Sequence, residues 1–305
     1  MNVLIVGLGS IGKKHIAAIK ALQSQAEIFA LRSKAKAENY PNVTNIYNPD
    51  EIESIAIDFA IIANPTSEHK KTIKKLIEYG FPLFIEKPIY STLDIENTVD
   101  TIIKKGIQTY VACNLRFLNG IKFIKEQLPK MQNKKLNEVN VYCGSYLPDW
   151  RPSIDFRKTY SAIAELGGGV HIDLIHELDY LYWLLGPPTA VKRNFRSQSS
   201  LSVSSFDYAN YLLDYNGFCA NVVLNYYRRE PKRSLELVFE DETWNIDLLQ
   251  NRITCKNQTI FSSDQRIADT YKPQMEYFIN CLKEKENTFN TISDAYQVLK
   301  ICINE

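Results

Sequence analysis

The sequence predicts an α/β first part with a doubly wound parallel sheet, followed by an α+β part with a large open, mostly antiparallel sheet. Up to about Asn119, short β-branched runs alternate with amphipathic segments of helical length, which is typical of a parallel sheet with right-handed crossovers. One such run, Phe59–Ala63, is uniformly apolar, as expected for a strand buried on both faces. From Val191 to Ile260 the pattern alternates instead, and turn signals such as Asn216-Gly217 separate long strands.

These patterns predict one domain over residues 1–119 and a second over residues 120–305, with the last helix packing back on the first domain. The predicted strands of the first domain are Val3–Gly7, Ile28–Leu31, Phe59–Ala63, Leu83–Glu86 and Gln108–Cys113. Its predicted helices are Lys13–Gln23, Lys70–Tyr79 and Leu93–Lys105. The second domain is predicted to begin with helix Ile121–Leu128 and strand Asn137–Cys143, and its later helices are Gly169–Leu185, Ile267–Lys285 and Ser293–Ile303.

Composition excludes several classes of function. A net charge of +1 over 305 residues lacks the basic surface that nucleic-acid binding requires, so no nucleic-acid partner is expected. No apolar run is long enough to span a bilayer, and the N-terminus runs directly into glycines without a charged region, so neither a membrane partner nor a signal peptide is expected. The six cysteines are scattered without a metal-binding spacing. We therefore expect no metal site and a reducing, cytoplasmic compartment.

A glycine motif of the form GxGxxG follows the first predicted strand and opens the first predicted helix. Gly7, Gly9 and Gly12 form it, with Ser10 and Ile11 between the last two. The first glycine permits a tight turn, the second lets the backbone approach a pyrophosphate, and the third lets helix and strand pack closely. The helix N-terminus attracts the anion. In this strand–turn–helix context the motif predicts a Rossmann domain whose five motif residues bind a dinucleotide.

The end of the second predicted strand bears on which dinucleotide binds. NAD sites usually carry an acidic residue there, which binds the ribose hydroxyls, whereas this chain has Arg32, Ser33 and Lys34. Guanidinium, hydroxyl and ammonium groups suit a 2′-phosphate, so NADP is favoured over NAD as the cofactor. The alternative is that Arg32 stacks on the adenine, which is compatible with either cofactor.

Several further segments match one family. Glu86-Lys87-Pro88 follows a predicted strand, the segment 111–117 closes the first domain, and the segment 165–179 with its three glycines opens the long predicted helix. Together with Asn64-Pro65-Thr66 and His69, they resemble the glucose–fructose oxidoreductase, inositol dehydrogenase and MocA-type (Gfo/Idh/MocA) family of sugar oxidoreductases. The resemblance runs in order over nearly the whole chain and is weakest over the C-terminal strands.

The resemblance implies a Rossmann domain and a second domain whose open sheet lines the substrate cleft and pairs across subunits in a homodimer or homotetramer. It implies NAD(P)-dependent hydride transfer to or from a secondary alcohol or ketone of a sugar, sugar derivative or cyclitol. The catalytic residues it implies are Lys87, Asp173 and His176. The further residues it places at the cofactor are Asn64, Pro65, Thr66, His69, Glu86, Lys87 and Asn114.

Elementary chemistry agrees with the three catalytic roles. Oxidation of an alcohol needs a base for the hydroxyl proton while hydride leaves the same carbon, and a histidine titrates near neutral pH. On a continuous helix Asp173 and His176 share a face, so the carboxylate orients the imidazole. The Lys87 ammonium group suits a developing alkoxide.

One spacing departs from the family pattern. Family members commonly separate the aspartate and the histidine by four positions, and here Asp173 and His176 are three apart. His171 is therefore a second candidate for the base, ranked below His176. Asp179 is interpreted as a polar residue on the helix face.

A loop rich in aromatic and guanidinium groups precedes the long predicted helix. Aromatic faces stack on sugar rings, and arginine binds carboxylate or phosphate, so this loop predicts contacts with a polar sugar, either acidic or nucleotide-linked. The expected substrate contacts are Arg116, Trp150, Arg151, Arg157, Tyr160 and His171. The alternative is a structural loop braced by Arg–Asp pairs. A second group, Tyr226-Tyr227-Arg228-Arg229, either lines the same cleft or guards a sheet edge with charge.

Two other functions stay open at the level of sequence. One is redox-neutral chemistry with a tightly held cofactor, as in sugar epimerisation or glycoside cleavage. The other is a non-enzymatic nucleotide sensor that keeps only the Rossmann fold. The sensor predicts degraded cleft chemistry, yet Lys87, Asp173 and His176 are all present.

Overall fold

The computed structural model describes residues 1–33 and 39–303, so that Lys34 lies outside the described residues. The chain divides into one unit formed by Met1–Cys113 with Tyr271–Lys300 and a second unit formed by Asn114–Thr270 with residues 301–303. The predicted boundary after residue 119 therefore differs from the observed one. The C-terminal helical region, which was assigned to the second domain, groups largely with the first unit.

The regular elements alternate in the first unit and separate in the second. The strands are β1 (Asn2–Val6), β2 (Glu27–Leu31), β3 (Thr44–Ile46), β4 (Phe59–Ile62), β5 (Leu83–Glu86), β6 (Thr109–Ala112), β7 (Leu136–Tyr146), β8 (Ala190–Arg196), β9 (Tyr208–Tyr215), β10 (Phe218–Asn225), β11 (Tyr227–Phe239), β12 (Thr243–Asp247), β13 (Arg252–Cys255) and β14 (Gln258–Ser262). The helices are α1 (Ser10–Leu22), α2 (Thr66–Leu76), α3 (Glu96–Lys105), α4 (Asn119–Gln127), α5 (Val170–Asp173), α6 (His176–Leu185), α7 (Tyr271–Glu284) and α8 (Ile292–Cys302). None of the helices within the described ranges is long and apolar enough to cross a membrane.

The sheet of the first unit is parallel and has the strand order β3-β2-β1-β4-β5-β6, which is the order of a Rossmann domain. All residues of β4, β5 and β6 are buried, as their continuous apolar runs predict. The predicted α/β class of this part is confirmed. The sequence analysis missed β3, because its three residues carry no apolar period.

The sheet of the second unit has eight strands in the order β14-β13-β12-β11-β7-β10-β9-β8. Strands β7 and β10 pair in parallel, and the other neighbours pair antiparallel. Alternate residues such as Val139, Val141, Leu235 and Leu237 are buried on one face, as the period of two requires. The predicted open, mostly antiparallel sheet is confirmed.

The long helix predicted over Gly169–Leu185 is wrong, because the chain breaks it into α5 and α6. Leu174 has φ −101° and ψ 27°, outside the helical region. Asp173 therefore ends one helix and His176 begins the next. The argument that these two side chains share one helix face does not hold.

The turn after β1 lies against the end of β4. Gly7 has φ +100°, and a Cβ added there would lie 2.3 Å from the Asn64 nitrogen. A Cβ at Gly12 would lie 2.2 Å from the Gly7 oxygen. Glycine is thus required at both positions by close backbone packing within the unit.

Replacing Gly7 by alanine is expected to destabilise the protein by about 3 kcal/mol, because the methyl group overlaps backbone atoms at a φ that alanine rarely adopts. Gly80→Ala is the matched control. Gly80 also has a positive φ, +76°, but an added Cβ meets nothing within 4 Å, so only the strain of about 1 kcal/mol applies. Thermal unfolding followed by circular dichroism compares the two variants. Equal melting temperatures would contradict the packing argument.

Candidate active site

The carboxyl ends of β1, β4 and β5 meet at one edge of the parallel sheet, where α/β proteins bind their ligands. Gly9 precedes α1 at this edge, and an added Cβ would have nothing within 4 Å. Packing within the unit therefore does not require glycine at this position, and the surface beside the start of α1 is open to a ligand. The first turn of α1 has no acidic residue, and no side chain caps it, so its free amides fit a pyrophosphate group. Ser10 is exposed and Ile11 half-buried beside it.

Arg32 lies directly after β2, as the sequence analysis expected. Its Nη1 atom is buried and has no hydrogen-bond partner among the described residues. Ser33 beside it is exposed. A buried guanidinium nitrogen that lacks an acceptor is suited to an anionic group.

Lys87 follows β5, and the Lys87–Pro88 peptide bond is cis. The carboxylate of Glu86 accepts a hydrogen bond from the Lys87 backbone nitrogen at 3.3 Å, and its other oxygen lies 2.5 Å from Nε2 of His15 in α1. Both Glu86 and His15 are buried. Glu86, expected at the cofactor, therefore links α1 to the Lys87 backbone. The sequence analysis missed His15, since its partner lies 71 residues away.

His69 in α2 is only 1% exposed. Its Nδ1 atom lies 3.0 Å from the Pro88 carbonyl oxygen, and its Nε2 atom lies 2.9 Å from the Asn64 carbonyl oxygen. Both ring nitrogens of His69, which was expected at the cofactor, thus face backbone atoms of the protein. Pro65 and Thr66 form the start of α2, with Pro65 at the N-cap position.

The side chain of Asn64 points back into the first unit. Its Nδ2 atom donates to Thr72 Oγ1 at 2.8 Å. The Oδ1 atom is buried without a partner among the described residues. Asn64 therefore retains one unused acceptor at the end of β4.

The second unit holds the carboxylate of Asp173 between two tyrosines. The hydroxyl of Tyr160 donates to Oδ1 at 2.6 Å, and that of Tyr226 donates to Oδ2 at 2.5 Å. Burial and the Asp173 charge raise the pKa of both phenols, which keeps them protonated donors at neutral pH. The residue Tyr160 as a whole is still 40% exposed. The carboxylate is thus fixed from two sides, and Tyr160 remains partly accessible to a ligand.

The glycine triplet positions Tyr160. A Cβ at Gly168 would lie 1.9 Å from the Tyr160 carbonyl oxygen, so only glycine lets that turn approach the start of α5. Of the three glycines that carry the family resemblance, Gly168 is thus required by packing. Tyr226, which was predicted only at a cleft wall or a sheet edge, is a second hydrogen-bond partner of Asp173.

The two candidate histidines differ in environment. His176 is half-buried at the start of α6. His171 is buried between the rings of Phe195 and Phe206, with centroids 5.1 and 5.4 Å away. Burial lowers the pKa of His171 to about 4, so its imidazole is neutral and weakly basic at neutral pH. These surroundings support the ranking of His176 over His171 and do not favour His171 as a substrate contact.

Two buried ion pairs hold the first turns of α6. Arg116 is 1% exposed, and its Nη2 and Nε atoms donate to Asp179 at 2.6 and 2.9 Å. Arg233 donates from Nε to Glu177 at 2.6 Å. Arg116, expected as a substrate contact, is therefore enclosed in a buried ion pair, and Asp179, interpreted as a polar residue on the helix face, is its partner. A fully buried bidentate pair places both side chains away from solvent.

The aromatic loop brings only part of its predicted residues together. Trp150 donates to Ser145 at 2.8 Å and packs edge-on against Tyr226 at 5.4 Å. The guanidinium group of Arg151 lies over the Tyr160 ring at 6.0 Å. Trp150 and Arg151 therefore border the tyrosines that hold Asp173.

The remaining predicted residues have contacts of their own or belong to the first unit. Arg157 is exposed and stacks on its neighbour Phe156 at 4.5 Å. Asn114 is buried in the second unit, where its amide donates to Thr270 at 2.8 Å. Lys87 belongs to the first unit, whereas Asp173 and His176 belong to the second.

Without the His171 imidazole, the free energy of unfolding is expected to depend less on pH under acidic conditions. Between pH 6.5 and about 4 the unfolded chain binds a proton that the folded protein excludes, so the free energy of unfolding falls as the pH drops through this window, by about 3 kcal/mol at most. Thermal melts of the wild type and of His171→Leu between pH 7 and about 4 test this. Each protein serves as its own reference at pH 7, and identical acid slopes would contradict the assignment.

Comparison with known proteins places both parts of the chain. Residues 1–113 match a model described as an oxidoreductase family with an NAD-binding Rossmann fold, and residues 130–245 match a model of the GFO/IDH/MocA C-terminal domain. The 2,7-anhydro-N-acetylneuraminate hydratase of Mediterraneibacter gnavus is 29% identical over 149 residues, which are 48% of this chain and 36% of that protein. The rhizopine catabolism protein MocA of Rhizobium meliloti is 28% identical over 204 residues, 64% of this chain and 60% of that protein. The chain thus spans less than two thirds of the length of these relatives.

A solved structure of levoglucosan dehydrogenase, in complex with NADH and levoglucosan, has a TM-score of 0.86 at 16% identity and covers 99% of this chain and 95% of that chain. At this identity the likeness shows a common fold. Because the matched models cover the Rossmann part and the sheet part separately, and in the order that the sequence motifs indicate, the chain belongs to the Gfo/Idh/MocA family of oxidoreductases.

Proposed function

We propose that the protein is an NAD(P)-dependent oxidoreductase that transfers hydride between a nicotinamide cofactor and a secondary alcohol or ketone of a sugar, sugar derivative or cyclitol. The observation that carries this proposal is the Asp173 carboxylate, which two protonated tyrosines hold just before His176. The carboxyl ends of β1, β4 and β5 form the edge where we propose that the dinucleotide binds, and we call it the dinucleotide edge. Lys87 follows β5 at this edge. A nucleotide sensor has no need for a carboxylate that is fixed in this way.

In this proposal each side chain acts on the same alcohol group. His176 accepts the hydroxyl proton, and the Asp173 charge favours the imidazolium that results. The Lys87 ammonium group donates to the reacting oxygen and stabilises its developing negative charge. When bound, the nicotinamide accepts or supplies the hydride.

The substrate we propose is a ring that carries several hydroxyl groups. The names of the relatives refer to an anhydro sugar acid and a rhizopine, and the fold neighbour binds levoglucosan. Trp150 and the partly exposed Tyr160 offer aromatic surfaces for such a ring, and Arg151 beside them favours an acidic or nucleotide-linked one. Arg157 is proposed as a contact at the outer end of the loop.

We also propose that the protein works in the cytoplasm as a homodimer or homotetramer. The second sheet presents a polar outer face with residues such as Asn140, Asn221 and Asn245, which alternate with the buried ones. Pairing of this face with a second copy would cover it. Sedimentation of the purified protein distinguishes these states from a monomer.

Lys87→Ala and His176→Ala are each expected to lower kcat/KM by a factor of about a hundred or more, because each removes a group that contacts the reacting oxygen or its proton. The measurement is absorbance of the reduced nicotinamide with a panel of inositols, anhydro sugars, uronic acids and nucleotide sugars. Arg157→Ala serves as the matched cleft variant, in which only the affinity for an acidic substrate falls. Turnover with retained cofactor and no net absorbance change would instead support redox-neutral chemistry, and binding without any turnover would support a sensor.

NADP is the cofactor we propose, because Arg32 Nη1 is buried without an acceptor among the described residues. Arg32→Ala is expected to weaken NADP+ about tenfold or more while leaving NAD+ nearly unchanged, since a charged hydrogen bond to the 2′-phosphate is lost. Titration calorimetry with both dinucleotides measures the ratio. An equal loss for both would point to stacking of Arg32 on the adenine.

A further inference from the structure

His69 connects two loops of the dinucleotide edge. Its Nε2 atom faces the carbonyl oxygen of Asn64, which follows β4, and its Nδ1 atom faces the carbonyl oxygen of Pro88, which follows Lys87. Both distances, 2.9 and 3.0 Å, are hydrogen-bond distances. The ring is 1% exposed, so water does not replace either contact.

When the His69 ring is neutral, only one of the two contacts can be a hydrogen bond. A neutral imidazole has one N–H group, and its other nitrogen carries a lone pair. A carbonyl oxygen can only accept, so one of the two contacts is a hydrogen bond and the other sets two lone pairs against each other. The imidazolium form has two N–H groups and satisfies both carbonyls.

We propose that His69 is a positioning residue that ties the loop after β4 to the loop that carries Lys87, and that this tie closes fully only when the ring holds two protons. The neutral ring donates a hydrogen bond to one loop and donates none to the other. This inference rests on the proposed function, because the two loops frame the dinucleotide edge.

The surroundings of His69 determine when the second proton binds. From β5, the carboxylate of Glu86 favours the charged ring, and His15 of α1 shares that carboxylate. On its own helix Glu68 and Lys70 flank His69, and Lys70 pairs with Asp94. Burial has the larger effect and lowers the pKa of His69, whereas the backbone of Asn64, the Glu86 charge and the backbone of Pro88 and Ile89 raise it. The imidazolium therefore forms on the acidic side of the ordinary histidine range.

A bound dinucleotide is linked to this proton. If the closed edge is the form that binds, binding near neutral pH takes up a proton at His69, and by reciprocity the affinity rises as the pH falls. The pyrophosphate charge acts in the same direction. We expect about a fivefold lower Kd at the acidic end of the range from about pH 5 to 8.

Calorimetry of the purified full-length protein tests this linkage. NAD+ and NADP+ are titrated across that pH range in two buffers of different ionisation enthalpy, which reports the protons taken up on binding. His69→Gln and His69→Asn are the matched variants, because their amide nitrogens approach the positions of Nε2 and Nδ1 respectively but do not titrate. We expect proton uptake in the wild type and its loss in both variants. The difference between wild type and variant removes the titration of the 2′-phosphate itself.

Nitrogen-15 spectra of the imidazole rings provide a second readout that needs no variant to fold. Two protonated ring nitrogens at His69 on addition of NAD+ or NADP+ would support the proposal. A neutral His69 ring throughout, or equal proton uptake in wild type and variants, would overturn the tie alone. Absence of binding by either dinucleotide to the wild type would overturn the proposed function together with it.

Discussion

The backbone of Gly7 lies so close to that of Ala63 and Asn64 that not even one methyl group fits between them, and the chemistry of the first unit depends on this contact. This contact fixes the end of β1 against the end of β4. Because β5 pairs in parallel with β4, it ends at the same edge of the sheet. The open surface at Gly9 and the side chain of Lys87 therefore lie at one edge. His69 then contacts two loops of this edge, and His15 connects α1 to Glu86 at the end of β5. Both imidazoles are buried.

In the second unit the corresponding constraint is buried charge. Glu177 and Asp179 lie in the first turn of α6 and are 0% and 2% exposed, each paired with an arginine. Such pairs repay their desolvation only with good geometry, so they add little stability over an apolar pair of the same size. The pairs instead restrict the orientation of α6, because the hydrogen bonds of each pair form in only one orientation of the helix. They restrain the first turns of α6, and His176 occupies the first position of that helix.

The sequence predicted the fold class because apolar periodicity is a local property, and the buried runs of β4, β5 and β6 show it clearly. Motif spacing likewise predicted Gly7, Lys87 and Asp173 as candidate site residues. The helix break at Leu174 was not predictable, since every residue from Val170 to Leu185 is compatible with a helix and tertiary packing selects the break. Partners far apart in the chain, such as those of His15, were also hidden. No local pattern records which of many carboxylates a buried histidine will meet.

The choice between His171 and His176 illustrates why residue type does not determine a base. The imidazole is the same, but the aromatic rings around His171 exclude water and lower its pKa to about 4, which leaves it a weak proton acceptor at neutral pH. His176 is half-buried at the start of a helix, where the macrodipole opposes a positive charge. A nearby negative charge must offset that dipole if His176 is to accept a proton. The proposed function gives this task to Asp173, whose carboxylate two tyrosine hydroxyls hold in place.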